Sequence, residues 1–175
     1  MARRMVCRSF RGRASVSLLL AVLLLDACRA PDQTVELPFE TIEQIEVNST
    51  SYELWPLAPD LMVAANAQEA DALASLVTPS ALASLRATDY QTEFVLMAFL
   101  GRQPTSHEGI RIDSVVRRGE SVLVSAWVGR RTGHDTLTFP YHLIRVHKTG
   151  QWGGSYAFEL SLNGTVAVSR TRSLP

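Results

Sequence analysis

Cysteine is almost missing from this sequence: its 175 residues hold only Cys7 and Cys28. A multi-bridge disulfide scaffold and paired-cysteine zinc sites are thereby excluded. Histidine is scarce too, limited to His107, His134, His142 and His147. None sits in an H-x-x-x-H helix, and His142 and His147, five apart on an expected strand, point to opposite faces, which argues against zinc. Gly153-Gly154 and Gly129-x-x-x-Gly133 lack the strand-glycine-helix context that places amides around a phosphate. No serine stands in a nucleophile-elbow sequence. Basic residues are not interleaved with aromatics, so no nucleic-acid partner is expected. No cofactor or metal is expected either.

What is present begins with an address. Five arginines precede the apolar run Ala14 to Leu25, which ends at Leu25-Asp26-Ala27-Cys28. A basic segment, a short apolar segment and a small residue before a cysteine read as an export signal over residues 1–27, too short to span a bilayer. Leu25-Asp26-Ala27-Cys28 resembles the lipobox of bacterial lipoproteins, with Cys28 as the lipidated residue, although Asp26 stands where a small residue is usual. Cys7 lies inside the signal, so the processed chain keeps one thiol and an anchoring role suits it. The expectation is an exported protein, lipid-anchored to the bacterial membrane surface without a spanning helix.

Removing residues 1–27 leaves twelve basic and sixteen acidic side chains. Residues 29–85 carry one basic residue against nine acidic ones, and residues 86–175 eleven against seven. Without any basic run, this asymmetry suits two lobes of one domain, attracting each other or a partner. Residues 28–36 read as a polar tether and 37–175 as one domain.

The periodicity predicts an α+β fold, a mainly antiparallel sheet or sandwich with one or two short helices. A strand is expected over 39–47 and another over Leu61 to Ala65. Asn66 followed by Glu69 caps a helix with Ala70, Leu73, Ala74 and Val77 on one face, and Thr78-Pro79 starts a second helix to Leu85. Phe94 to Leu100 is an uninterrupted apolar run closed by Gly101-x-x-Pro104. That is a strand buried on both faces. Successive antiparallel strands follow. Ile110, Ile112 and Val116 alternate toward one face, Arg118-Gly119 turns the chain, and Val122, Val124, Ala126 and Val128 alternate back. Pro140 places the strand from Leu137 to His147 at an edge or bulge. Asn163-Gly164 predicts a final hairpin. A simple two-residue turn there sets Phe158 opposite Ser169, so a bulge is needed to reunite the apolar sets.

The run Phe94 to Gly101, then Gly101-Arg102-Gln103-Pro104-Thr105, the Arg118-Gly119 hairpin, and Phe139-Pro140-Tyr141-His142-Leu143-Ile144-Arg145-Val146-His147-Lys148 together resemble the C-terminal domain of the PrcB family over residues 89–148. The family comprises bacterial lipoprotein subunits of a surface protease complex. The chain departs from it at Ser106-His107-Glu108-Gly109-Ile110, where the family has Gly-Gly-Tyr, and at Gly129 to Asp135, where the family has a proline- and cysteine-bearing loop. Both departures fall in loops. The resemblance implies a non-enzymatic accessory or binding subunit with a protein partner at the cell envelope, a secreted protease being the class suggested. Arg102, Gln103, Pro104, Ser106, His107, Arg130, Arg131 and His134 are the candidate interaction residues. Two other readings stay open: a hydrolase or carbohydrate-active enzyme using His107 or His134, and a passive ligand or glycan module using Trp55, Trp127 and Trp152.

Overall fold

Seven apolar residues in a row need apolar cover on two sides, and the computed structural model provides it with three layers. It describes residues 34–47, 55–104, 108–130 and 137–175. The segment expected to be an export signal, Cys28, Ser106, His107, Arg131 and His134 lie outside the described residues.

The middle layer is an antiparallel sheet built from β2 (Phe39–Val47), β3 (Asp60–Ala64), β4 (Glu93–Phe99) and β7 (Phe139–His147), in the order β2-β7-β4-β3. The second sheet contains β1 (Thr34–Glu36), β5 (Glu108–Arg118), β6 (Ser121–Arg130), β8 (Gly154–Leu162) and β9 (Thr165–Leu174), in the order β1-β5-β6-β8-β9. Two helices, α1 (Ala67–Asp71) and α2 (Pro79–Arg86), cover the other face of the middle sheet. Along β4, Phe94, Leu96 and Ala98 enter the core between the sheets, while Val95, Met97 and Phe99 enter the core beneath the helices. The strand is therefore buried on both faces.

The cap residues act as their chemistry predicts. Asn66 Oδ1 accepts the Glu69 amide at 2.9 Å, and Glu69 Oε2 accepts the Ala65 amide at 2.7 Å. Thr78 Oγ1 accepts the Ala81 amide at 3.3 Å ahead of Pro79. The first helix is shorter than its apolar pattern predicts. After Asp71 the chain tightens: Leu73 N donates to Ala70 O, Ala74 N to Asp71 O and Leu76 N to Leu73 O. Three-residue hydrogen bonding turns the face through 120° per residue. The buried set is thus Ala70, Leu73 and Leu76, with Ala74 and Val77 only partly covered.

Bulges decide which side chains reach the core. In β5 the pairing shifts between Ile112 and Ser114, so Val115, and not the expected Val116, joins Ile110 and Ile112 inside. In the last hairpin Leu162 pairs with Thr165 and Ser161 with Val166, then the register shifts and Leu160 meets Val168. Ala167 is the extra residue that the sequence pattern requires. Asn163 (φ 49°) and Gly164 (φ 87°) make the turn in the left-handed region natural to an Asn-Gly pair.

Three further expectations change. Thr34 to Glu36, read as tether, pairs with Val116 to Arg118. β8 runs parallel to β6, because the intervening β7 crosses to the other sheet. Pro140 lies in β7, which has neighbours on both sides, so it is at neither an edge strand nor a bulge. How the fold accommodates that proline positions the candidate surface.

Candidate interaction surface

β4 ends at a glycine that no other residue replaces easily. Gly101 has φ +83°, and a Cβ there would stand 2.6 Å from the carbonyl carbon of Ala58. Arg102 N then donates to Leu57 O at 3.2 Å, holding the chain against this neighbouring segment. Next, Gln103 and Thr138 exchange both backbone bonds, Gln103 N to Thr138 O at 2.8 Å and Thr138 N to Gln103 O at 3.0 Å.

The side chain of Gln103 solves the Pro140 problem. Leu100 N donates to Pro140 O at 3.0 Å, but proline has no N–H to return to Leu100 O. Gln103 Nε2 donates to that carbonyl instead, at 3.2 Å. A buried carbonyl left without a donor is costly, so the glutamine amide lets a proline occupy the end of a central strand.

Beyond this point the chain returns as β5, whose Glu108 and Gly109 pair with Arg130 and Gly129 of β6. The described ends of the β4–β5 and β6–β7 connections are therefore paired with each other, by Glu108–Arg130 on one sheet and by the Gln103–Thr138 bridge on the other. Of the eight expected interaction residues, Arg102 and Pro104 are exposed here, Gln103 is half-buried in its structural role, and Arg130 ends β6. Ser106, His107, Arg131 and His134 belong to the segments between these anchors, outside the described residues. Leu57, 67 % exposed, adds an apolar side chain beside Arg102.

The titratable groups inside the fold are tied to its framework. His142 is 2 % exposed, its Nδ1 accepts the Ile112 amide at 2.8 Å, and its Nε2 lies 2.9 Å from Thr41 Oγ1. Accepting at Nδ1 places the proton on Nε2, so the ring donates to Thr41. Together with Gln44 Nε2, which donates to Ile110 O at 2.8 Å, it satisfies the part of β5 that β1 does not cover. His147 lies on the opposite face, with Nδ1 3.0 Å from Glu93 Oε1, in a cross-strand group with Arg145 and Glu40. There the Arg145 guanidinium holds the Glu40 carboxyl below its ordinary range.

Sequence reading did not find the hub at Glu43. Its carboxylate accepts from the Tyr141 and Thr78 hydroxyls and from Thr78 N, joining β2, β7 and the start of α2. Burial and this adjacent carboxylate raise the Tyr141 phenol well above its ordinary value. Because the folded value exceeds the unfolded one, the stabilisation is complete below the unfolded pKa of about 10 and is lost as pH climbs from there toward the folded value. Tyr141→Phe is expected to cost about 1–2 kcal/mol near neutrality. It should also remove up to about 1.4 kcal/mol per pH unit from the alkaline decline in stability, leaving the smaller share of Tyr90, whose phenol burial also raises. Urea unfolding between pH 7 and 11 reads both effects, and an unchanged alkaline slope would contradict this account.

The tryptophans occupy three separate places. Trp55 stacks on Phe139 and Tyr141 at 5.8 and 5.7 Å beneath the helices, and Trp152 lies 4.8 Å from Tyr156 at the rim of the inter-sheet core. Trp127, 39 % exposed, lies on the outer face of the second sheet under Arg111. They form no common platform. Among the described residues no three His, Cys, Asp or Glu side chains are grouped to hold a metal ion, and no helix is long and apolar enough to cross a membrane. Comparison of the chain with protein-family models, curated proteins and solved structures finds no match in any of the three.

Proposed function

We propose that this chain is a non-enzymatic, lipid-anchored accessory or binding subunit at the bacterial cell envelope, with its partner-facing surface at the end where the β4–β5 and β6–β7 loops emerge. The observation that carries this reading is their adjacency. The two segments in which the sequence departs from the PrcB pattern stand at the two open ends of the β5–β6 hairpin, and their anchors are joined through Gln103–Thr138 and Glu108–Arg130. Variable loops on a rigid scaffold are the usual location of binding specificity. Arg102 and Leu57 supply a cation and an apolar contact there, a combination common in protein interfaces. A secreted protease is the partner class that the resemblance suggests.

The test is affinity capture of the lipidated protein after gentle solubilisation. Wild type is expected to retain a protein partner, and Arg102→Glu combined with Leu57→Ser to lose most of it while keeping wild-type stability, since both side chains are exposed. Recovery of no partner by wild type would count heavily against the proposal. The anchor has its own check: an intact mass of the processed protein without lipid on Cys28 would remove it.

A further inference from the structure

Each sheet ends in an edge strand on the same side of the sandwich, β3 in one and β9 in the other. Between them lies a cleft of about 290 Å3, with β3 as its floor, α1 as one wall and the arginines of β9 as the other. Among the described residues β3 pairs with β4 alone, so alternate backbone groups point into the cleft. The Leu61 amide is one of them, because it is taken by Asp60 Oδ1 at 2.8 Å. The Ala65 amide, four residues on, is another, taken by Glu69 Oε2. The two-residue repeat of a strand then directs the Val63 N–H and the carbonyls of Leu61 and Val63 the same way. Both ends of the edge are capped by carboxylates, and its middle is open.

The two carboxylates and two guanidiniums around the opening differ in how they are engaged. Asp60 is neutralised by Arg170 Nη2 at 2.7 Å, and Glu69 is committed to Ala65. Arg172, two residues along β9 from Arg170, lines the same cleft and has no carboxylate partner among the described residues. A strand entering here would turn one set of alternate side chains toward β9, where Arg172 stands. The other set would face Ala72 and Leu73, just past the end of α1.

We propose that the β3–β9 cleft binds an extended acidic segment of a partner protein by strand addition to β3, with Val63 supplying backbone pairing and Arg172 selecting a carboxylate. Recognition of this kind takes affinity from main-chain bonds and specificity from alternate side chains. The inference rests on the binding-subunit reading and adds to it a second surface, remote in the chain from Arg102.

The test uses full-length protein in detergent micelles and a fluorescein-labelled, end-blocked nonapeptide of alternating valine and glutamate. Fluorescence anisotropy is expected to show binding about tenfold tighter than for the glutamine analogue, the scale of one charge-assisted hydrogen bond. Arg172→Glu should abolish that preference and favour the lysine analogue instead. Hydrogen exchange over residues 60–65 should slow with the glutamate peptide. Equal binding of the glutamate and glutamine peptides, protection confined to other segments, or no binding at about 1 mM peptide would each overturn the proposal. So would a peptide-independent dimer that protects residues 60–65, since a second copy would then own the edge. The two readings fail separately: capture lost in Arg102→Glu with Leu57→Ser but retained in Arg172→Glu upholds the loop end as the partner surface, whereas glutamate selectivity that survives in Arg172→Glu overturns the cleft proposal whatever the capture result.

Discussion

Phe94→Ala is expected to lower the free energy of unfolding by about 3–5 kcal/mol, the range for truncating a fully buried aromatic ring. Phe94 is 0 % exposed, and its ring centroid lies 5.4 Å from Trp152 and 5.8 Å from Phe158. Phe158 comes from the other sheet and Trp152 from the segment that leads into it, while the Phe94 backbone is paired with Val146 of β7. Neither side can close easily over the space left behind, which places the cost toward the upper part of the range. Urea unfolding should show a lower midpoint with an unchanged slope. Leu57→Ala, at a 67 % exposed position, is the control and should change stability by less than about 0.5 kcal/mol. A Phe94→Ala cost near that of the control would mean that β4 is not covered on its second-sheet face.

Gly101→Ala should cost about 2–4 kcal/mol through two separable causes. An L-residue at φ +83° carries roughly 1–2 kcal/mol of left-handed strain. The new Cβ would also stand 2.6 Å from the Ala58 carbonyl carbon, and backbone on backbone has no rotamer that relieves it. Gly164→Ala separates the terms, since Gly164 has φ +87° and nothing within 4 Å of the added Cβ. It should show the strain alone. The excess in Gly101→Ala measures the close approach of the two segments that set the loop end, and equal costs for both variants would remove that contact from the account. Because Arg102 follows directly, Gly101→Ala should also weaken partner capture beyond what its stability loss explains.

The positions of these effects were unequally legible. The double burial of β4 could be read from its seven apolar residues, because nothing polar in the run offers a solvent face. The caps at Asn66 and Thr78 were legible for the same local reason. So was much of the loop adjacency: a turn at Arg118-Gly119 sets residues near 108 opposite residues near 130, as Glu108 and Arg130 are. Gln103, named as an interaction residue, carries a structural task that the pattern does not show. Its amide serves a carbonyl that only the pairing of Leu100 with Pro140 leaves vacant. The acidic-segment cleft was not legible at all. The bulged register puts Arg170 and Arg172 opposite Phe158 and Tyr156, on the core side of β9. They are tolerable there because β9 lies at the open side of the sandwich, where their head groups reach the edge of β3.

By itself the sequence determined most of the elements, the two helix caps, the hairpin turns, the need for a bulge after Asn163-Gly164, and an α+β class with a strand covered on both faces. All of these follow from interactions within a few residues, which local periodicity records. Tertiary structure alone decided that β6 and β8 run parallel, that Pro140 enters a central strand, that α1 stops at Asp71, and that two sheet edges leave a cleft between them. These depend on which distant strands meet and which backbone groups then lack a partner, and a partner brought from elsewhere in the chain leaves no mark on the local pattern.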